Sequence, residues 1–410
     1  MRTLHLNYSN KKGGAAIACG RLIESLNKNN TTSEVLTNEQ YLKKKYKNSK
    51  FKQDLSFLNH KLKKYFSIKI KEFFNTENIY RDSINFFNSK IHNYINFHES
   101  DVVNFHWICD EMISIEEIGK INKPLVWTAH DMWPFIGSEH YTSSNYYEKN
   151  NKNKSNFINN WLLNRKKKNF NNNFHIVYVS KWLMEKGRNS KIFSDNPSSY
   201  IPNTINTEEW IKLDKSYCKQ ILNFEKNKKY ILFSSFSGIQ DYRKGFDLLA
   251  KALDKTKLNN KDFCLVVIGN SEGIDKYIDP NKYEYITFSH IFGGNPLPLK
   301  IIYSACDFAI VPSRTEAFGQ VVIEAGACGL PTVGFNNTGV GDIIDHEKNG
   351  LLADDFSHEN LAKCINQMLD EDNLKNFSNN IKNKIQNVYD YKIVSEQYKL
   401  LYEKIIQENK

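Results

Sequence analysis

The chain has 410 residues, 40% of them hydrophobic and 25% charged, a balance that excludes a disordered polymer and provides for two ordinary cores. No run of 18 apolar residues occurs, which excludes a membrane-crossing helix. The formal charge of +10 points to anionic partners, whether nucleic acid, an anionic membrane surface or phosphorylated ligands.

In chain order, the first segment, MRTLHLNYSNKKGGAAIACGRL, has no apolar h-region followed by a small-residue cleavage site. It reads as a strand over 3–8, so no secretory signal and a cytosolic location are expected. Gly13 and Gly14 precede a helix expected to begin near Ala15, with Ile17, Leu22 and Leu26 on one buried face. A second strand is expected over 33–37. Residues 40–100 are polar and basic and read as an insertion of helices and loops. Much of the positive charge sits there, in Lys43 to Lys52 and His60 to Phe74, and again in Asn164 to Phe170. His60 to Phe74 alternates basic and apolar residues, as an interfacial helix does; a solvated basic face is the plainer alternative. No RNP-like, zinc-finger or helix-turn-helix signature speaks for nucleic acid. Further strands are expected over 102–107, 124–129 and 175–180.

The stretch YIPNTINTEEW, Tyr200 to Trp210, punctuates the chain and suits a domain crossover. Strands are then expected over 230–236, 263–269, 285–289, 308–313 and 332–335, with a helical tail ending in SEQYKLLYEKII. Apolar runs alternating with helical segments predict an α/β protein of two successive Rossmann-like halves. The seven cysteines (Cys19, Cys109, Cys218, Cys264, Cys306, Cys328 and Cys364) form no CxxC pair. They read as buried free thiols, with neither a disulfide frame nor a zinc site.

Four places could carry chemistry. Gly13-Gly14 opens a helix whose N-terminus carries positive potential, and paired glycines let a backbone approach an anion. His130 falls at the carboxyl end of strand 124–129, where open α/β sheets bind ligands; it could donate a hydrogen bond to a hydroxyl or phosphate, or move a proton. His106 and His140 have weaker claims. Arg243 and Lys244 precede Gly245 at a strand-to-helix junction and suit a phosphate clamp. Glu316 lies in the loop before a short apolar helix expected to start at Phe318 or Gly319, and Glu324 lies inside it. Carboxylates so placed could accept sugar hydroxyls; the plain alternative is an ion pair with Arg314. Asp370-Glu371-Asp372 has the form of a DxD motif but lies in a polar tail, and no metal triad is evident.

With those residues in view, VPSRTEAFGQVVIEAGACGLPTVGFNNTGVGDIIDHEKNGLL resembles the donor-site segment of family 4 glycosyltransferases. These are retaining enzymes of the GT-B fold, two Rossmann-like domains facing across a cleft. Their E-x7-E pattern matches Glu316 and Glu324, and the likeness extends to GGAAIA, HD, IPNTIN and RKGFDLL. That combination is similar to members from bacterial exopolysaccharide and lipopolysaccharide gene sets. The resemblance implies an acceptor domain over 1–202, a nucleotide-sugar donor domain over 203–388, and a C-terminal helix, 389–410, packing back on the first domain. It implies that Glu316 holds donor-sugar hydroxyls with the backbone of Ala317, Phe318 and Gly319, and that Glu324 holds the ribose. Lys244 and Arg243 would neutralise the departing diphosphate, Gly14 would let the acceptor domain approach it, and His130 would contact sugar or acceptor. One departure stands out: where the family has a Gly-Arg pair, this chain has Gly238-Ile239. The expected reaction is retaining transfer of a hexose to a glycan or lipid-linked glycan, without metal or other cofactor. Peripheral contact with an anionic membrane is a further expectation. The alternatives are a nucleotide-sugar epimerase and a non-catalytic donor-binding subunit; the glycine pattern is wrong for an NAD-dependent dehydrogenase. Choice of base would depend on the chain around Gly269-Asn270 and Phe292-Gly293-Gly294.

Overall fold

The computed structural model describes residues 1–10, 13–73, 81–151, 156–170, 174–258, 263–289, 295–354 and 356–409; Phe292-Gly293-Gly294 lies outside them. Two compact units result, Met1–Pro202 with Val394–Lys410, and Asn203–Ile393.

The first unit begins β1 (Arg2–Leu6), α1 (Gly14–Lys28), β2 (Thr32–Leu36), α2 (Asn38–Lys45), α3 (Lys50–Phe73) and α4 (Ile91–Phe97). It continues β3 (Val102–Phe105), α5 (Ile115–Ile118), β4 (Leu125–Ala129), α6 (Phe157–Asn169), β5 (Phe174–Tyr178), α7 (Lys181–Arg188) and β6 (Ser198–Tyr200). The second unit begins α8 (Lys215–Ile221), β7 (Lys229–Ser234), α9 (Phe246–Leu253), β8 (Phe263–Ile268), β9 (Tyr285–Phe288), α10 (Leu297–Ala305) and β10 (Phe308–Val311). Then come α11 (Gln320–Ala327), β11 (Thr332–Phe335), β12 (Gly350–Ala353), α12 (His358–Met368), α13 (Glu371–Lys384) and α14 (Tyr391–Glu408).

Each unit holds a parallel sheet. The strand orders are β2-β1-β3-β4-β5-β6 and β12-β11-β10-β7-β8-β9. Runs such as FCLVVI in β8 are buried at every position, because helices cover both faces of such a sheet. Strand order reverses between β1 and β3 and again between β7 and β10. The carboxyl ends of those strands are where this architecture places ligands.

The last helix returns to the first unit. Val394, Tyr398, Leu401, Tyr402 and Ile405 of α14 pack against Leu22, Leu26, Val102, Val126 and Val177. The buried face of α1 differs from the expected one: Cys19, Leu22 and Leu26 are buried, whereas Ile17 is 39% exposed. Ile17 precedes Leu22 by five positions, about 140° around a helix, so the two do not share a face. β12, four residues behind a turn, was not expected from the sequence. All seven cysteines are free and buried.

Candidate active site

In the second unit the site is built by close backbone approaches. After β7 the chain makes a 3-10 turn at Tyr242–Lys244, where the Asp241 side chain accepts from the Arg243 N–H. Gly245 follows with φ 68°, and a Cβ there would run into the Pro312 carbonyl just past β10. Only glycine takes both the positive φ and that approach without strain. The approach carries Lys244 to the end of the neighbouring strand, where its Nζ donates to Glu316 Oε2 at 2.6 Å. Burial pushes the Glu316 carboxyl upward, but Lys244 and Arg243 outweigh it and hold the group below the usual range. Arg243 also pairs with Asp241 at 3.0 Å. Arg314, the expected plain partner of the glutamates, instead forks onto Asp247 at 2.7 and 2.6 Å and stacks on the Tyr242 ring at 3.8 Å.

The Glu316–Gly319 loop is fixed from the other side by the second glycine-rich stretch. Gly339 N–H donates to the Glu316 carbonyl at 2.7 Å, and a Cβ on Gly339 would overlap the Ala317 carbonyl. Ala317 and Phe318 are buried. Gly319, at φ 110°, starts α11. Glu324 lies in that helix, 7% exposed, and accepts from the Tyr303 hydroxyl at 3.3 Å. At the family's Gly-Arg position, Gly238 has φ 82°, but Ile239 belongs to the hydrophobic core and supplies packing rather than charge.

His130 and Gly14 belong to the first unit. Gly13, at φ 94°, caps α1, and a Cβ added at Gly13 or Gly14 would meet nothing within 4 Å. Asp131 is a clamp: it accepts from Trp133 N–H at 3.0 Å and from Trp107 Nε1 at 3.0 Å, and pairs with His140 Nδ1 at 2.6 Å. His140 Nε2 in turn lies 3.0 Å from Ser83 Oγ. From behind, Lys166 donates to the Ile136 and Gly137 carbonyls, both at 2.8 Å. This lysine from the basic Asn164–Phe170 stretch is fully buried, so that stretch is not wholly a surface patch. His130 Nε2 lies 2.9 Å from His106 Nδ1, and burial pulls the His130 pKa down to about 4. His130 is therefore a neutral imidazole near pH 7.

Sequence reasoning missed two groups here. His5 joins His106 at 2.9 Å; three histidines at strand ends were visible, but the adjacency of β1 to β3 was not. Beside them, Arg81 stacks on Trp107 at 4.6 Å, and Arg81 and Lys64 both pair with Asp110, at 2.5 and 2.6 Å. Asp110 and Glu111 are consecutive non-glycine residues at φ 57° and 62°, a conformation that costs of order 1 kcal/mol or more each. Glu111 helps hold the turn by accepting from the Phe86 and Phe87 N–H groups at 2.8 Å.

Residues 215–387 match the family described as glycosyl transferases group 1. A glycosyltransferase of Methanocaldococcus jannaschii is 27% identical over 230 residues, covering 54% of this chain and 58% of that one. The chain thus spans little more than half the length of that curated relative. Among solved structures, sucrose-phosphate synthase from Thermosynechococcus elongatus is similar over 99% of both chains, with TM-score 0.69 at 15% identity. HepE from Anabaena, solved with UDP-glucose, is similar over 98% of this chain and 100% of its own, with TM-score 0.62 at 17% identity. The two parallel sheets and these likenesses define a two-domain Rossmann-like protein of the GT-B fold. Its second unit carries the match to the group 1 glycosyl transferases.

Proposed function

We propose that the chain transfers a hexose, with retention, from a nucleoside diphosphate sugar to a glycan or lipid-linked glycan acceptor in surface polysaccharide synthesis. The observation that carries this is the Lys244–Glu316 pair, 2.6 Å long, at the strand reversal of a group 1 unit. A half-buried ion pair is a ground state that a ligand with matching groups can replace. On this reading the donor diphosphate takes over Lys244, with Arg243 as second cation, and the released Glu316 accepts sugar hydroxyls. Glu324 holds the ribose, and backbone N–H groups at Ala317, Phe318 and Gly319 face the donor. Positive charge fixed in advance stabilises the leaving diphosphate, so no metal enters the scheme. Same-face attack, with the departing phosphate accepting the acceptor proton, gives retention. The similarity to a fold solved with UDP-glucose supports a nucleotide-sugar donor.

The deciding experiment is a thermal-shift screen against UDP, GDP, ADP, CMP and common nucleotide sugars, with Glu324→Ala in parallel. Stabilisation by one diphosphate series, weakened in the variant, is the expected outcome. No shift with any of them would count against a nucleotide-sugar site. Donor binding without transfer to any acceptor would favour the non-catalytic subunit, and turnover of donor without acceptor would favour the epimerase.

The first unit adds a reason to place the acceptor at the cytoplasmic face of a membrane. α3 turns Phe51, Leu55, Leu58, Leu62, Phe66 and Phe73 outward, each 48% exposed or more. Its inner face is polar: Lys64 pairs with Asp110, Lys63 donates to the Asn88 carbonyl and Ser67 to Glu111. An apolar stripe flanked by the exposed Lys52, Lys61 and Lys69 suits an anionic lipid surface. Co-sedimentation with phosphatidylglycerol vesicles, lost in Leu58→Glu/Leu62→Glu, is expected; equal binding by the variant would sink the idea.

A further inference from the structure

The three histidines at the ends of β1, β3 and β4 form one continuous hydrogen-bonded line. His5 Nδ1 lies 2.9 Å from His106 Nε2, and His106 Nδ1 lies 2.9 Å from His130 Nε2. Both ring pairs are stacked, with centroids 5.2 Å apart and planes tilted by 25° and 21°. At the inner end His5 Nε2 is 3.1 Å from Thr3 Oγ1, which donates to Ser33 Oγ at 2.7 Å. Ser33 Oγ donates to the Thr31 carbonyl at 3.4 Å. His5 and His106 are 0% and 3% exposed, while His130 is the half-buried end of the line.

A neutral imidazole has one N–H and one bare nitrogen, so the line has a direction, and the hydroxyl pair sets it. A carbonyl can only accept, so the Ser33 proton goes to Thr31 and Ser33 Oγ receives the proton of Thr3. The Thr3 oxygen is then left to accept from His5 Nε2–H. His5 Nδ1 must be bare and accept from His106 Nε2–H, and His106 Nδ1 must accept from His130 Nε2–H. We propose that Thr3, Ser33, His5 and His106 are positioning residues that fix His130 in its Nε2–H tautomer, so that its Nδ1 is a hydrogen-bond acceptor for a substrate hydroxyl and not a donor to phosphate. The role for His130 rests on the transferase reading above; the tautomer does not. Burial keeps all three rings neutral, pulling His5 down to about 3, His130 to about 4 and His106 well below its usual value. The Cys19 thiol comes within 4.8 Å of His5 and His106 ring nitrogens. Burial pushes that thiol upward, so it packs there as a neutral group.

The test is 15N NMR of the full chain labelled at histidine, in which protonated and bare ring nitrogens are well separated. His130 is expected to show a bare Nδ1 and a protonated Nε2. Ser33→Ala removes only a hydroxyl on β2, which frees Thr3 to donate to His5. It should shift the His130 tautomer ratio by roughly fivefold, the weight of one buried hydrogen bond, and lower kcat for transfer with donor KM unchanged. A protonated Nδ1 at His130 in the unaltered chain would overturn the proposal, as would an unmoved His130 spectrum in both Ser33→Ala and Thr3→Val. A Cys19-dependent thiolate band on adding cobalt(II) would also overturn it, by showing that the cluster binds metal. If the tautomer is as stated but His130→Ala transfers sugar at the full rate, the wire stands and the role given to His130 in transfer fails.

Discussion

The two strand reversals solve the same problem in opposite ways. Beside β7 and β10, half-buried charged groups are matched in pairs: Lys244 with Glu316, Arg243 with Asp241, Arg314 with Asp247. At the ends of β1, β3 and β4, the buried imidazoles give up charge and use direction instead. A paired charge can be exchanged for a charged ligand, which suits a diphosphate. A neutral, oriented imidazole can distinguish a donor from an acceptor at almost no electrostatic cost. Asp131, held by Trp107, Trp133 and His140, is the paired charge nearest the imidazoles.

The largest expected effect breaks the charged side. Lys244→Gln should lower kcat by about 10²–10³-fold, the usual cost of removing one preorganised charge from a transition state. The same change should alter the pH response through Glu316. In the unaltered chain its folded pKa lies below the ordinary value because Lys244 and Arg243 outweigh burial. It therefore adds stability above the unfolded carboxylate pKa, and loses it as pH falls through the folded value. Without Lys244 the upward push of burial gains weight, so the acid limb of the rate profile should move to higher pH. A Lys244→Gln enzyme with an unmoved limb and near-normal kcat would show that the pair is structural.

How far the sequence could be read follows the same division. Most strands of both halves, though not β12, were legible because strands in parallel sheets are continuous apolar runs. Lys244 stood out in the sequence by the turn glycine beside it and Glu316 by its place in the loop before an apolar helix, whereas the close approaches at Gly245 and Gly339 are seen only in the fold. The pairing of Arg314 with Asp247 was not legible, since it depends on α9 lying beside the loop after β10. The histidine line was hidden for a topological reason: His5 and His106 are 101 positions apart, and β1 meets β3 only because β2 lies on its far side. Nor could composition show that α3 faces inward with Lys63 and Lys64, because amphipathic periodicity gives two faces and not which one is covered.

The neutral side is tested by acid. His5, His60, His106, His130 and His175 of the first unit are all held below the usual histidine value, chiefly by burial. The described histidines of the second unit, His346 and His358, reach solvent. Histidine in the unfolded chain takes up a proton below about pH 6.5, whereas the buried rings resist until near 3–4. Stability contributed by the neutral rings is thus complete above pH 6.5 and falls as pH drops toward 4, by about 1.4 kcal/mol at pH 5.5 for each fully buried ring. Hydrogen exchange, corrected for intrinsic rates, should show β1, β3 and β4 losing protection between pH 7 and 5.5 ahead of β7, β8 and β10. Equal loss in both sheets would mean that the contrast drawn here does not govern acid stability.

The smallest effect sharpens the comparison from within the second unit. Asp370-Glu371-Asp372 is acidic like Glu316 but has a different occupation. Asp370 caps α13 by accepting from the Asn373 N–H, and Glu371 pairs with Lys229. Asx side chains cap equally well with or without charge. Asp370→Asn should therefore cost only a few tenths of a kcal/mol in urea unfolding, and Asp372→Asn should leave transfer within about twofold of the unaltered rate. A hundredfold loss in Asp372→Asn, restored by added manganese, would mean that this cluster binds a metal used in the reaction. The diphosphate would then depart with help from that ion, and the Lys244–Glu316 pair would lose its place as the charge that the leaving group needs.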